Sequence, residues 1–189
     1  MNSICSSCQK GVLLPIIKSS PYLIVKEMVT ANEIETQTPF VREVKNKWGY
    51  DEYTTNHYFN MELGKVGLQL AEFSLASFYM HVPPKGGRTK EQKAGLQGCL
   101  DYSMQEFIKI AQDKKVILLM GAQAIKIVTG YGISDVYGLA LTSELLPNVP
   151  VIIPAPNSDK IMSQPIGEMR LALKNFANQI RVHKEYSKM

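Results

Sequence analysis

Apolar residues cluster in four short runs, and these runs predict the strands of a sheet. They occupy residues 22–25, 73–80, 116–120 and 149–153. The third run ends at Gly121 and the fourth at Pro154. Continuous apolar runs of this length are typical of strands that are buried on both faces, as in a parallel sheet.

Between these runs, apolar residues recur every three or four positions, which is the period of an amphipathic helix. The spacing predicts helices over residues 89–113, 122–128 and 164–184. Residues 62–70 are a weaker helical candidate, and residues 48–60 have the composition of a polar, aromatic loop.

Strands that alternate with helices predict a parallel sheet covered on both faces. We therefore expect an α/β fold, a three-layer α/β/α sandwich around a central four-stranded parallel sheet. At 189 residues the chain fits one domain, residues 1–189. Functional sites in such sheets lie at the carboxyl ends of the strands.

Composition narrows the function classes. The apolar runs are far too short to span a bilayer, and the first residues lack the pattern of a secretory signal. We therefore expect an intracellular (cytoplasmic) protein without a membrane partner.

Three cysteines in such a chain favour thiols or metal ligands over a disulfide framework. The net charge of +4 is weakly consistent with a polyanionic partner.

Two motifs in the first quarter of the chain stand at a recognisable spacing. The N-terminus contains Cys5-Ser-Ser-Cys8. The first strand runs into Val25-Lys-Glu-Met-Val-Thr-Ala-Asn-Glu33, and Thr38-Pro-Phe-Val41 follows.

Further motifs follow the later strands. After the second run come Ser77, His81, Pro83, Pro84, Arg88 and Cys99. The third run is followed by Gly121-Ala-Gln-Ala124, and the fourth by Ala155-Pro-Asn157.

Taken in this order, the motifs resemble the iron–sulfur branch of the uracil-DNA glycosylase superfamily. The family has four cysteine ligands, a V-G-E motif, a P-F-V segment, an N-x-x-K-C-R-P-P segment and a closing His-Pro-Ser. Here Lys26 stands in place of the family's glycine, Ser77 in place of asparagine, His81 in place of cysteine and Ala155 in place of histidine.

The resemblance implies a metal site formed by Cys5, Cys8, His81 and Cys99. Three thiolates and one imidazole suit either a [4Fe–4S] cluster, which is our first expectation, or a tetrahedral Zn²⁺. Its role would be structural. The alternative is that Cys99 is a buried hydrophobic residue, the other cysteines are free thiols and His81 is a surface residue.

The resemblance also implies roles in base excision. Glu27 corresponds to the carboxylate beside the sugar, while Phe40 and Ser77 correspond to residues that bind the flipped base. A salt-bridged Glu27 and a core Phe40 are the structural alternatives. Ala155 has no donor for the leaving base, and losing one such donor costs about 2.7–4 kcal/mol of transition-state stabilisation. Neither His57 nor His183 is an evident substitute.

Features for holding DNA are retained in part. The Gly121-Ala122-Gln123 turn opens a helix, whose N-terminal amides can bind a phosphate. The resemblance adds Arg88, Asn157 and Ser158 as DNA contacts.

We therefore expect a uracil-DNA glycosylase-like protein that binds DNA, is catalytically impaired and acts in DNA metabolism, as would suit a virus or mobile element. One alternative is an active glycosylase of altered base specificity that uses Glu27. The other is a protein-interaction module without DNA affinity, whose partner acts in replication, repair or recombination.

Overall fold

The computed structural model describes residues 11–46, 48–80, 90–132, 135–158 and 166–188, and for residues 90–96 it describes the backbone alone. Along the chain the elements are β1 (Tyr22–Met28), α1 (Ala31–Thr36), β2 (Glu43–Lys45), β3 (Asp51–Tyr53), α2 (Thr55–Lys65), β4 (Ser74–Tyr79), α3 (Lys90–Ala111), β5 (Val116–Met120), α4 (Ala122–Thr129), β6 (Val151–Ala155) and α5 (Ile166–Tyr186). None of the described helices is both long and apolar enough to cross a membrane.

The main sheet has four strands in the order β4-β1-β5-β6, and all neighbouring pairs are parallel. A separate antiparallel hairpin is formed by β2 and β3. The parallel sheet and its strands confirm the α/β fold expected from the apolar runs.

Each face of the sheet carries its own hydrophobic core. One core is built with residues of α2 and α5, among them Phe59, Leu63 and Phe176. The other is built with residues of α3 and α4, among them Phe107 and Ile125. Helices therefore cover both faces, which gives the expected three layers.

The segment before β1 covers the outer edge of β4. Ile16 and Leu75 exchange both backbone hydrogen bonds, and the Leu13 amide donates to the Met80 carbonyl at 2.7 Å. Pairing of this kind removes the exposed edge that would otherwise invite association with another strand. It also brings the N-terminal part of the chain to the carboxyl end of β4.

Several predicted bounds differ from the structure: the helix expected over residues 62–70 ends at Lys65, and the fourth strand covers Val151–Ala155 rather than residues 149–153. Strand β1 continues three residues beyond the expected end at Val25, because Lys26 is buried within it. The loop expected over residues 48–60 is wrong: these residues include β3 and the start of α2.

Candidate functional site at the strand ends

The segments that carry Glu27, Ser77 and Ala155 lie at the same end of the sheet, as the sequence predicts. Lys26 is the register partner of Ser77 in the β1–β4 pair. Met120 is the partner of Ala155, whose carbonyl accepts a hydrogen bond from the Gly121 amide at 3.2 Å. This carboxyl edge is the expected place for a site in a parallel sheet.

Glu27 is held by the N-terminus of α4. Its Oε2 accepts a hydrogen bond from the Gln123 amide at 2.8 Å. A carboxylate here is stabilised by the unpaired amides and by the helix dipole. Gly121 permits the approach, because a Cβ at that position would lie 2.3 Å from Glu27 Oε2 and 2.4 Å from Glu27 Cβ.

The phosphate position expected at Gly121, Ala122 and Gln123 is therefore occupied by the protein's own carboxylate. A phosphate placed at the Gln123 amide would meet Glu27 as a like charge. The salt-bridged alternative for Glu27 is not what the described residues show, since Glu27 accepts a backbone amide and the neighbouring Lys26 pairs with Glu33.

A buried ion pair lies beside this edge. Lys26 Nζ is 2.5 Å from Glu33 Oε2, and both side chains are 0% exposed. Glu33 also receives hydrogen bonds from the Thr30 amide and hydroxyl, and from the Phe40 amide at 2.7 Å. Buried charges survive only when paired and hydrogen-bonded in this way.

Phe40 belongs to the core. It is 2% exposed, it packs against Phe59 with ring centroids 5.7 Å apart, and Lys26 Nζ lies 5.6 Å from its ring centroid. A ring that is covered in this way has little face left for an incoming base. This burial fits the core-aromatic alternative for Phe40, and its base-stacking role stays a prediction.

The polar network continues to the end of β6. Asn56 Nδ2 donates to the Val41 carbonyl at 3.2 Å and approaches Glu33 Oε1 at 3.4 Å. Ser158 Oγ donates to Asn56 Oδ1 at 3.3 Å, and both residues are buried. Ser158, expected to contact DNA, is instead part of the interior; Asn157 beside it is half-buried.

Three buried polar atoms at the strand ends have no hydrogen-bond partner among the residues that the structure describes: Ser77 Oγ, Tyr79 Oη and Asn157 Oδ1. Burial raises the pKa of Tyr79 to about 12, and the nearby Glu27 and Cys99 add to this rise. Tyr79 therefore stays protonated at neutral pH. It lies near Glu27 and Cys99.

Ala155 is fully buried in the core on the α2–α5 face. His57 stacks on Tyr53 with centroids 3.9 Å apart, and His183 Nδ1 lies 3.1 Å from the Tyr22 hydroxyl at the amino end of β1. Within the described ranges, neither imidazole takes the position of the missing histidine.

The expected metal site is described only at Cys99, which is buried in α3. Cys5, Cys8, His81 and the DNA-binding candidate Arg88 lie outside the described residues. No group of three His, Cys, Asp or Glu that could hold a metal ion occurs in the part of the chain that the structure covers.

The described residues around Cys99 lie at the carboxyl end of β4. Cys99 lies near Tyr79, and Tyr79 precedes the expected ligand His81 by two residues in sequence. The Leu13 amide donates to the Met80 carbonyl, and the expected ligand Cys8 precedes Leu13 by five residues in sequence. The metal site itself stays a prediction.

Sequence reasoning missed Glu33 as the partner of Lys26, although a signal was present. Thr30-Ala-Asn-Glu33 matches the capping box, in which the first and fourth residues bond each other's backbone amides at a helix start.

Compared with protein-family models and with curated proteins, the chain matches none.

Proposed function

We propose that this protein is a uracil-DNA glycosylase-like domain that binds DNA but excises bases poorly or not at all. The proposal places it inside the cell, in DNA metabolism. The observation that carries the loss of activity is the Lys26–Glu33 ion pair, because its ammonium lies over the Phe40 ring where the resemblance expects a flipped base.

Two further features support impaired chemistry. Breaking the N-glycosidic bond leaves negative charge on the departing base, and a donor near that base must stabilise it. The buried methyl group of Ala155 cannot donate a hydrogen bond. Glu27 Oε2 already accepts a hydrogen bond from the Gln123 amide, so fewer acceptor positions of this carboxylate are open to a water or a sugar.

The same proposal includes a structural metal. Cys5, Cys8, His81 and Cys99 would hold a [4Fe–4S] cluster or a zinc ion, and that group would tie the N-terminal segment to the region after β4. The Leu13–Met80 hydrogen bond and the proximity of Cys99 to Tyr79 support this placement.

Two assays on one preparation test the proposal. Uracil-containing single strands and duplexes are incubated with the protein, and abasic sites are revealed by alkali; we expect no excision above a no-enzyme control. Binding to the same DNA is measured over a range of salt concentrations, and we expect affinity to fall as salt rises, because phosphate contacts release counterions.

If the protein excised uracil efficiently and Glu27→Ala abolished this activity, the proposal would be wrong and the protein would be an active glycosylase. Absence of any DNA binding would leave only a protein-interaction module.

A further inference from the structure

The β2–β3 hairpin presents aromatic rings to solvent. Trp48 is 70% exposed, Tyr50 is 72% exposed and Tyr53 is 56% exposed. All three lie within one six-residue stretch of the hairpin and its turn. Exposed rings grouped so closely are unusual on a protein surface and mark an interaction site.

The turn that carries two of these rings is held by Asn46. Its Oδ1 accepts hydrogen bonds from the Trp48 amide at 3.0 Å and from the Tyr50 amide at 3.1 Å. The backbone is closed by the Asn46 amide, which donates to the Tyr50 carbonyl at 2.8 Å. The backbone at Trp48 and Tyr50 is therefore held by Asn46, which lowers the cost of ordering these two residues on binding.

A groove of about 660 Å³ lies beside Trp48 and Tyr53, between the hairpin and the starts of α1 and α2. Its lining also includes Asn32, which carries an amide, and Glu52, which carries a carboxylate. Such groups donate and accept hydrogen bonds at the edge of a planar heterocycle. The groove thus combines stacking faces with polar edges.

The chemistry of this surface favours nucleobases over a protein partner. The strongly exposed apolar residues of the hairpin are all aromatic, and Val44, its aliphatic residue, is half-buried. Bases stack on aromatic rings irrespective of sequence. In duplex DNA the base faces are already stacked on one another, so only unpaired nucleotides present them.

We infer that the β2–β3 hairpin is a stacking platform for single-stranded DNA, with bases lying on Trp48 and Tyr50. This inference rests on the proposed function for the identity of the polymer as DNA. It adds the form of DNA that is bound and the residues that bind it.

Local charge predicts how such binding responds to salt. From 42 to 53 the chain has three basic residues (Arg42, Lys45, Lys47) and three acidic ones (Glu43, Asp51, Glu52), so the hairpin is neutral. Lys45 is also paired with Asp51 at 2.7 Å. Stacking therefore supplies most of the affinity, and the dependence on salt is shallow compared with a protein that contacts many phosphates.

The test uses the full-length protein and an oligothymidylate. Trp48 is the only tryptophan in the chain, so its fluorescence reports directly on the platform, and we expect quenching as the oligonucleotide is added. Affinities of variants come from the anisotropy of a labelled oligonucleotide. Tyr50→Leu is expected to weaken binding about fivefold or more, as loss of one base stack does.

Tyr186→Leu is the matched control. Tyr186 is 69% exposed, but it lies in the last turn of α5, three residues after His183, which contacts the amino end of β1. Its replacement is expected to leave the affinity unchanged. Asn46→Ala keeps every ring and the backbone hydrogen bonds of the turn, but it removes the two hydrogen bonds accepted by the Asn46 side chain. It is expected to weaken binding while the melting temperature changes little.

Each outcome is decisive. Quenching together with losses in Tyr50→Leu and Asn46→Ala, but not in Tyr186→Leu, supports the platform. DNA binding that the hairpin variants leave intact would overturn the platform while leaving the proposed function standing. No binding to either single strands or duplexes would overturn both and assign the rings to a protein partner.

Discussion

Lys26 Nζ lies 2.5 Å from Glu33 Oε2, inside a central strand of the sheet and with no solvent contact for either side chain. The pair is held in place by its surroundings. Glu33 caps α1 through Thr30 and accepts the Phe40 amide, while Lys26 covers the Phe40 ring. The ion pair therefore links the end of β1 and helix α1 to the P-F-V segment that contains Phe40.

Removing one member of this pair is expected to be costly. Lys26→Met should lower the free energy of unfolding by about 3–5 kcal/mol, because it leaves the Glu33 carboxylate buried without its counter-ion. Chemical denaturation measures the loss. In Lys26→Met/Glu33→Gln the uncompensated charge is gone, so the double variant should be more stable than the single one.

Lys45→Met is the control for that measurement. Lys45 and Asp51 form an exposed pair, with side chains 67% and 64% accessible. Its loss should change the unfolding free energy by less than about 1 kcal/mol. Equal losses in Lys26→Met and Lys45→Met would contradict the structural role given to Lys26.

Gly121 is expected to tolerate no side chain. Its φ of 105° and ψ of 142° lie in a region that only glycine adopts readily, at a cost of about 1–3 kcal/mol for other residues. A Cβ would also collide with Glu27, adding about 1–3 kcal/mol of overpacking. Gly121→Ala should therefore lower stability by about 2–6 kcal/mol in denaturant titrations.

Gly130→Ala separates these two causes. Gly130 also has a positive φ, 79°, but a Cβ there meets nothing within 4 Å. It should cost only the backbone strain, about 1–2 kcal/mol. If Gly121→Ala were no worse than Gly130→Ala, the close approach of Glu27 to α4 would be refuted.

Glu62 predicts how stability responds to acid. The hydrogen bonds from Arg170 on α5, helped by Lys65, lower the pKa of Glu62 to about 2 from an ordinary value of 4.5. A carboxylate with a lowered folded pKa stabilises the fold above its unfolded pKa, and this contribution is lost as protons bind. Stability from Glu62 is thus complete above pH 4.5 and declines from there towards pH 2.

Glu62→Gln should make the protein less stable at pH 7 and flatten the decline between pH 4.5 and pH 2. Thermal unfolding at several pH values measures both effects. Glu106→Gln is the matched control, since Glu106 forms only a one-turn pair with the exposed Lys109. If the stability of the wild-type protein fell between pH 4.5 and pH 2 no more steeply than that of Glu62→Gln, the α2–α5 ion pair would be ruled out.

The metal proposal has a direct chemical test. Protein purified without oxygen should contain iron and sulfide with a broad visible absorption, or else one zinc ion, and Cys99→Ser should lose that content. Ser103→Ala is a control on the same helix, because Ser103 is another buried polar residue of α3. If the wild-type protein contained no metal, the proposed metal site would be ruled out and Cys99 would be a core residue.

The four strands of the main sheet were predictable because each contains a local run of apolar residues, whereas the short, polar strands β2 and β3 were not predicted. Val116–Met120 coincides with its predicted bounds, since every residue in it is buried. The end of β1 was not predictable in this way. A lysine normally ends a buried strand, and Lys26 is tolerated only because Glu33, seven residues later, folds back to meet it.

The first part of helix α2 was missed for a related reason, while its last residues fall within the weaker candidate helix 62–70. Its buried positions are Asn56, Phe59, Glu62 and Leu63, so half of its inner face is polar and the apolar period is weak. Asn56 is satisfied by Val41 and Ser158, and Glu62 by Arg170. These partners are distant in sequence, and only the folded chain identifies them.

At the candidate site, the sequence predicts which residues lie at one end of the sheet but not the contacts that they make there. It could place Glu27 and the Gly121 turn at neighbouring strand ends, because both follow buried strands. It could not show that Glu27 itself fills the helix N-terminus. Phe40 was equally open as a ring for stacking or a core residue, and its burial beside Lys26 favours the core residue.

The accessibility of the Lys26 amine shows whether this side chain closes the expected base pocket. Folded protein is treated briefly with formaldehyde and a mild reductant, and methylation of each lysine is quantified by peptide mass spectrometry. Lys26 should stay unmodified while the exposed Lys45 reacts, and Lys26 should react only after denaturation. Methylation of Lys26 in the folded protein at the rate of Lys45 would contradict a base pocket closed by this side chain.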